Sequence, residues 1–117
     1  MRTVPGFSVK VRRDGSTAIV TPCGELDLAT VGTLRAALDD AGRCEVLVLD
    51  LREVTFMDSS GIGVLVDERR RAGREGFCLR VVSGPPVVQR LLEVTGLARR
   101  LEFTELGGPA DEPPSRS

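Results

Sequence analysis

Val46-Leu47-Val48-Leu49 is a run of branched, apolar residues with no polar alternation, the pattern of a strand covered on both faces. Such a strand belongs in the middle of a largely parallel sheet. Just after it, Arg52 to Met57 reads as a loop. Asp58-Ser59-Ser60-Gly61 then opens a helix in which Ile62, Leu65 and Val66 share a face, with Gly73 and Gly76 near its end. Before the strand, Val31, Leu34, Leu38 and Ala41 recur as one helical stripe, with Asp27 placed to cap it and Gly42 to close it.

Farther out on the N-terminal side, Phe7, Val9 and Val11 alternate with Ser8, Lys10 and Arg12. Asp14-Gly15 supplies the positive-φ positions of a tight hairpin into a strand from Thr17 to Pro22, which Gly24-Glu25-Leu26-Asp27 breaks. On the C-terminal side, Phe77 to Val82 reads as a strand, and Ser83-Gly84-Pro85-Pro86 starts a third helix with a serine cap and an early proline. Val88, Leu91 and Leu92 form its buried stripe, Gly96-Leu97 its left-handed cap, and Leu101 to Phe103 a short last strand. A hairpin followed by strands alternating with helices implies right-handed βαβ crossovers, hence an α/β fold with a mixed, mostly parallel sheet. One domain is expected over residues 5–106. Residues 107–117 hold two glycines, three prolines and no strongly apolar side chain, and are expected to form a flexible tail.

Composition narrows the function. The 117 residues are 41% hydrophobic and 28% charged, which fits one soluble domain with its own core. A net charge of −1 lacks the basic footprint of a nucleic-acid binder. No apolar run is long enough to cross a bilayer and Met1 to Gly6 has no signal-like stretch, so the expected location is the cytoplasm, with no membrane partner. Cys23, Cys44 and Cys78 form an odd set without a CxxC pair, as expected of reduced, largely buried thiols. The chain has no histidine, which excludes a Ser-His-Asp or Cys-His centre and any zinc site built on histidine. Neither a metal nor a cofactor is expected.

Three motifs invite chemistry. Gly61-Ile62-Gly63 lacks the third glycine of a dinucleotide fingerprint, and no phosphate-cradling Gly-Lys-Ser/Thr loop is present, so nucleotide hydrolysis is disfavoured. Arg69-Arg70-Arg71 with Arg74 falls near a helix end, where cations complement the macrodipole; Asp67 to Arg71 and Arg71 to Glu75 are spaced as surface ion pairs. Asp58-Ser59-Ser60-Gly61 reads either as a plain helix cap or as a hydroxyl presented where outward-pointing N–H groups would accommodate a phosphate. With no histidine and no lysine close in sequence to act as base, Ser59 is better placed as a substrate than as a nucleophile, so no enzyme activity is expected.

Several segments together resemble the STAS domain, specifically the small single-domain anti-sigma factor antagonists of bacteria. They are Gly24-Glu25-Leu26-Asp27, Val46 to Leu51 leading into Thr55-Phe56-Met57-Asp58-Ser59-Ser60-Gly61-Ile62-Gly63, and Val88 to Leu97. The resemblance spans about residues 7 to 105. It implies a single STAS domain that binds an anti-sigma factor, itself a serine kinase of the histidine-kinase-like ATPase fold, and so frees a sigma factor. It further implies that phosphorylation of Ser59 switches binding off and that a metal-dependent serine phosphatase restores it. Glu25, Asp27, Asp58, Ser60 and Gly61 are the implied partner surface, with a helix-capping role for Asp27 standing beside the contact role. A monomer or weak dimer is expected. The competing readings are a structural STAS scaffold whose serine is never modified, and a small nucleotide-binding enzyme.

Overall fold

The computed structural model describes residues 1–106; the tail expected over 107–117 lies outside the described residues. In chain order they form β1 (Arg2–Val4), β2 (Phe7–Asp14), β3 (Thr17–Leu26), α1 (Val31–Asp40), β4 (Val46–Asp50), β5 (Val54–Met57), α2 (Ser59–Glu75), β6 (Cys78–Val82), α3 (Pro86–Val94) and β7 (Glu102–Thr104). A 3-10 turn at Leu97–Arg100 precedes β7.

The apolar run Val46 to Leu49 is the middle of the sheet, whose strand order is β1-β2-β3-β4-β6-β7. β1, β2 and β3 pair antiparallel, whereas β4 pairs parallel to both β3 and β6, and β7 parallel to β6. The parallel connections step the same way across the sheet, so right-handed crossovers lay their helices on one face. Packing agrees. Leu34 and Leu38 of α1, Val64 and Leu65 of α2 and Val88 and Leu92 of α3 share one core with Val20, Leu47, Leu49 and Val81 of the sheet. Each such leucine or valine stabilises the fold by about 1.5–3 kcal/mol relative to exposure. On the opposite face Ile19, Val48 and Val82 form a small second cluster with Leu106. β4 is therefore covered on both faces, as its sequence indicates.

Several expectations need correction. β3 does not stop at Pro22 but runs through Gly24-Glu25 to Leu26, because its last residues pair with β5. The expected loop from Arg52 to Met57 contains β5, which follows β4 along the same edge of β3; tertiary pairing supplies what local pattern does not show. β1 has only three residues and no pattern of its own. At the hairpin only Gly15 has positive φ; Asp14 is still in the strand. The N-cap of α1 is Thr30 rather than Asp27, and that of α3 is Pro85 rather than Ser83. In α2 the buried stripe is Gly61, Val64, Leu65, Glu68 and Ala72; Ile62 and Val66 are half-buried at its margin. The thiols are not largely buried: Cys23 and Cys44 are half-buried, and Cys78 is exposed at the start of β6. Asp67 pairs with Arg35 across to α1 at 2.8 Å, leaving Arg71 to Glu68 and Glu75.

Candidate functional site

Two chain segments meet at the C-terminal end of β3. The first is the passage from β5 into α2. Register along the β3–β5 ladder passes from Gly24 opposite Val54 to Glu25 opposite Phe56, so Thr55 is bulged out. The extra residue re-aims the strand: Val54 and Met57 are buried while Thr55 and Phe56 are exposed. Asp58 then adopts an extended conformation as N-cap, and its Oδ1 accepts from the Ser60 amide at 2.8 Å. The Gly61 and Ile62 amides donate to the Asp58 carbonyl at 3.0 and 3.3 Å.

Ser59 is the first residue of α2 and is exposed; among the described residues no hydrogen bond holds its hydroxyl. Ser60 is half-buried beside it. Gly61 lies below this surface. A Cβ there would stand 2.5 Å from Met57 Cγ and 3.1 Å from Leu26 Cδ2, so the first turn of α2 is seated against β3 and β5 by the absence of a side chain.

The second segment is the end of β3. Gly24 has φ +116°, and a Cβ on it would come 2.5 Å from the Gly6 carbonyl oxygen, so the position admits only glycine without rearrangement. Its amide donates to the Glu53 carbonyl at 3.0 Å. Glu25 is exposed. The Asp27 carboxylate accepts from the Ala29 amide at 3.0 Å, which closes an Asx turn and explains why it does not cap α1. Thr30 Oγ1 accepts from the Asp27 amide at 2.9 Å and donates to the Glu25 carbonyl at 2.8 Å. The Asp27 carbonyl takes the Thr30 and Val31 amides instead.

A backbone bond from the Asp58 amide to the Leu26 carbonyl joins the two segments at 3.3 Å. The structure thus brings the Glu25–Asp27 turn beside the segment that carries Asp58, Ser59 and Ser60, with an exposed hydroxyl at a helix N-terminus. Sequence reasoning missed two residues there: Leu28 is 80% and Phe56 44% exposed. Leu28 carried a signal, since it stands between the strand-breaking Gly24-Glu25-Leu26-Asp27 and the helical stripe that starts at Val31, outside both.

The approach to the site is anchored from β4. Asp50 is fully buried and accepts from the backbone amide, Nε and Nη2 of Arg52, each at 3.1 Å. A cleft of about 840 Å³ lies elsewhere, among Arg13, Arg43, Cys44, Arg71 and Phe77. Two of its three arginines are already engaged. Arg13 donates to the Ala41 and Arg43 carbonyls, and Arg71 pairs with Glu68 and Glu75 while lying 4.8 Å over the Phe77 ring. Among the described residues no group of acidic or sulfur side chains is arranged to hold a metal ion, and no helix is long and apolar enough to cross a membrane.

The fold is a two-layer α/β module that presents an exposed serine directly after the capping Asp58 at the start of a helix. Residues 8–106 match the STAS domain. The chain belongs to the STAS domain family and, within it, to the anti-sigma factor antagonists. It is 35% identical over 94 residues to the anti-sigma F factor antagonist of Paenibacillus polymyxa, covering 78% of this chain and 80% of that one. Over 92 residues it is 30% identical to the anti-sigma-B factor antagonist of Bacillus subtilis, covering 78% and 84%. The crystal structure of an anti-sigma factor antagonist from Mycobacterium paratuberculosis superposes with a TM-score of 0.78 at 25% identity, over 94% of this chain and 95% of that one. SpoIIAA in its unphosphorylated form shares the fold, with a TM-score of 0.71 at 22% identity over 84% and 89% of the two chains.

Proposed function

We propose that this chain is an anti-sigma factor antagonist controlled at Ser59. Unphosphorylated, it binds an anti-sigma factor that is also a serine kinase, and the sigma factor is released. The kinase transfers the γ-phosphoryl group of ATP to Ser59 Oγ; the hydroxyl proton passes to a base of the kinase and ADP leaves. A metal-dependent serine phosphatase removes the group by hydrolysis and restores binding. The cycle runs in the cytoplasm, without nucleic acid or membrane, with this chain as a monomer or weak dimer.

The observation that carries this reading is the exposure of Ser59 at the first position of α2, directly after the capping Asp58. A phosphate there adds roughly −1.5 to −2 charges. Near a helix N-terminus that charge is locally favourable by about 0.3–1 kcal/mol, so the fold survives modification. Binding is lost at the interface instead, where a bulky dianion joins Glu25, Asp27 and Asp58. A loss of roughly 3–4 kcal/mol weakens association several-hundredfold, and burying an unpaired charge costs that much or more.

The test is incubation with purified anti-sigma serine kinases of the source organism and ATP, followed by mass-spectrometric mapping. Phosphate on Ser59 supports the reading; phosphate on another residue, with Ser59→Ala still modified, overturns it.

A further inference from the structure

Leu28 and Phe56 project from the two segments that the Asp58–Leu26 hydrogen bond ties together. We propose that these two side chains are the apolar anchors by which the anti-sigma serine kinase seats this chain, and so determine which kinase it accepts. The inference rests on the functional reading above and names residues that reading does not include.

The backbone that carries each side chain is fixed by its surroundings. Leu28 occupies the apex of the turn closed by the Asp27 carboxylate on the Ala29 amide and by Thr30 Oγ1 between Glu25 and Asp27. Phe56 is fixed by strand pairing with Glu25 just after the bulge, while its neighbour Met57 is buried. The main chain that carries them is therefore already ordered, and only side-chain rotamer freedom remains to be lost when a partner covers them. A leucine 80% exposed on a turn fixed at both ends adds nothing to the fold. Four acidic side chains, Glu25, Asp27, Glu53 and Asp58, lie on or next to these two segments, while the nearby cations Arg35 and Arg52 are ion-paired with Asp67 and Asp50. The complementary surface is an apolar pocket rimmed by basic side chains, and aromatic and aliphatic anchors filling such pockets carry most of an interface's energy.

The experiment measures the affinity and steady-state phosphorylation of full-length Leu28→Ser and Phe56→Thr with the kinase that modifies the wild-type chain. Each is expected to raise Kd and the KM for this chain about tenfold or more, with kcat within about twofold, because an anchor contributes equally to ground and transition states. Melting temperatures within a few degrees of wild type exclude misfolding, and Leu28→Met is expected to restore affinity. Wild-type affinity in both polar variants overturns the proposal while the Ser59 switch stands. A kinase panel that neither binds nor phosphorylates the wild-type chain overturns the functional reading, and this inference with it.

Discussion

The Asp58 amide donates to the Leu26 carbonyl at 3.3 Å, so the end of β3 and the first turn of α2 are held as one piece. The bond uses backbone groups alone and survives any substitution of either side chain except proline at Asp58. What the Asp58 side chain adds is its cap on Ser60. Asp58→Ala is expected to cost about 1 kcal/mol, lowering the melting temperature by roughly 4–8 °C with the far-ultraviolet dichroism unchanged.

Under the proposed switch, Ser59→Ala binds the anti-sigma kinase permanently, since no phosphoryl group can be accepted. Ser59→Asp places a carboxylate at the same exposed point and is expected to bind at least tenfold more weakly, though it carries less charge than a phosphate. Calorimetric titration separates the two. Equal affinities would leave the family assignment intact and remove the electrostatic switch.

Gly24→Ala and Gly61→Ala differ in what the new methyl meets. At Gly24 it meets a backbone carbonyl at 2.5 Å in a left-handed conformation, and the expected loss is about 2–4 kcal/mol. At Gly61 it meets the Met57 side chain, which has some freedom to turn, and the loss is expected to be about 1–3 kcal/mol. Urea denaturation gives both values.

Ion pairs of similar length differ in worth because burial differs. Arg52→Ala strips the fully buried Asp50 carboxylate of its guanidinium and is expected to destabilise by about 3–5 kcal/mol. Arg35→Ala breaks the exposed pair with Asp67 and is expected to cost under about 1 kcal/mol. Chemical denaturation of the two variants side by side checks the contrast.

Burial pushes the Cys23 and Cys44 thiols up from their ordinary range. Near pH 8 each therefore holds less thiolate than a free cysteine, and alkylation is expected to be slow at both and fastest at the exposed Cys78. Since the folded-state values are raised, the associated stability is present below the unfolded thiol pKa and is lost as the pH rises through the folded one. Time-resolved labelling by mass spectrometry orders the three thiols.

The centre of this fold could be read from sequence because it is encoded locally. Val46 to Leu49 has one environment available to it, and Gly42, Gly76 and Gly96 all adopt the positive φ that ends their helical segments. Asp58 as cap of α2 was equally legible, since capping involves residues two positions apart. The misses lie where distant pairing decides, or where several local partners compete for one side chain. Val54-Thr55-Phe56-Met57 has no alternation because a bulge interrupts it, and only the β3 edge makes it a strand. Asp27 turned away from α1 because Ala29 and Thr30 compete for it. Glu68 is buried against its i,i+3 partner Arg71, which itself lies over the Phe77 ring; the spacing permits the pair, but only the fold shows that it is buried. Leu28 is exposed on a turn that only the folded ends of β3 and α1 create.

With β1 on one margin of the sheet and β7 on the other, the described chain enters and leaves the domain on opposite sides. Modules grafted ahead of Arg2 and after Thr104 would be held about 24 Å apart, five interstrand spacings. The domain would then act as a spacer bar in any fusion. A circular permutant rejoining these margins needs a linker of at least about seven residues, and a shorter one would tear an outer strand from the ladder.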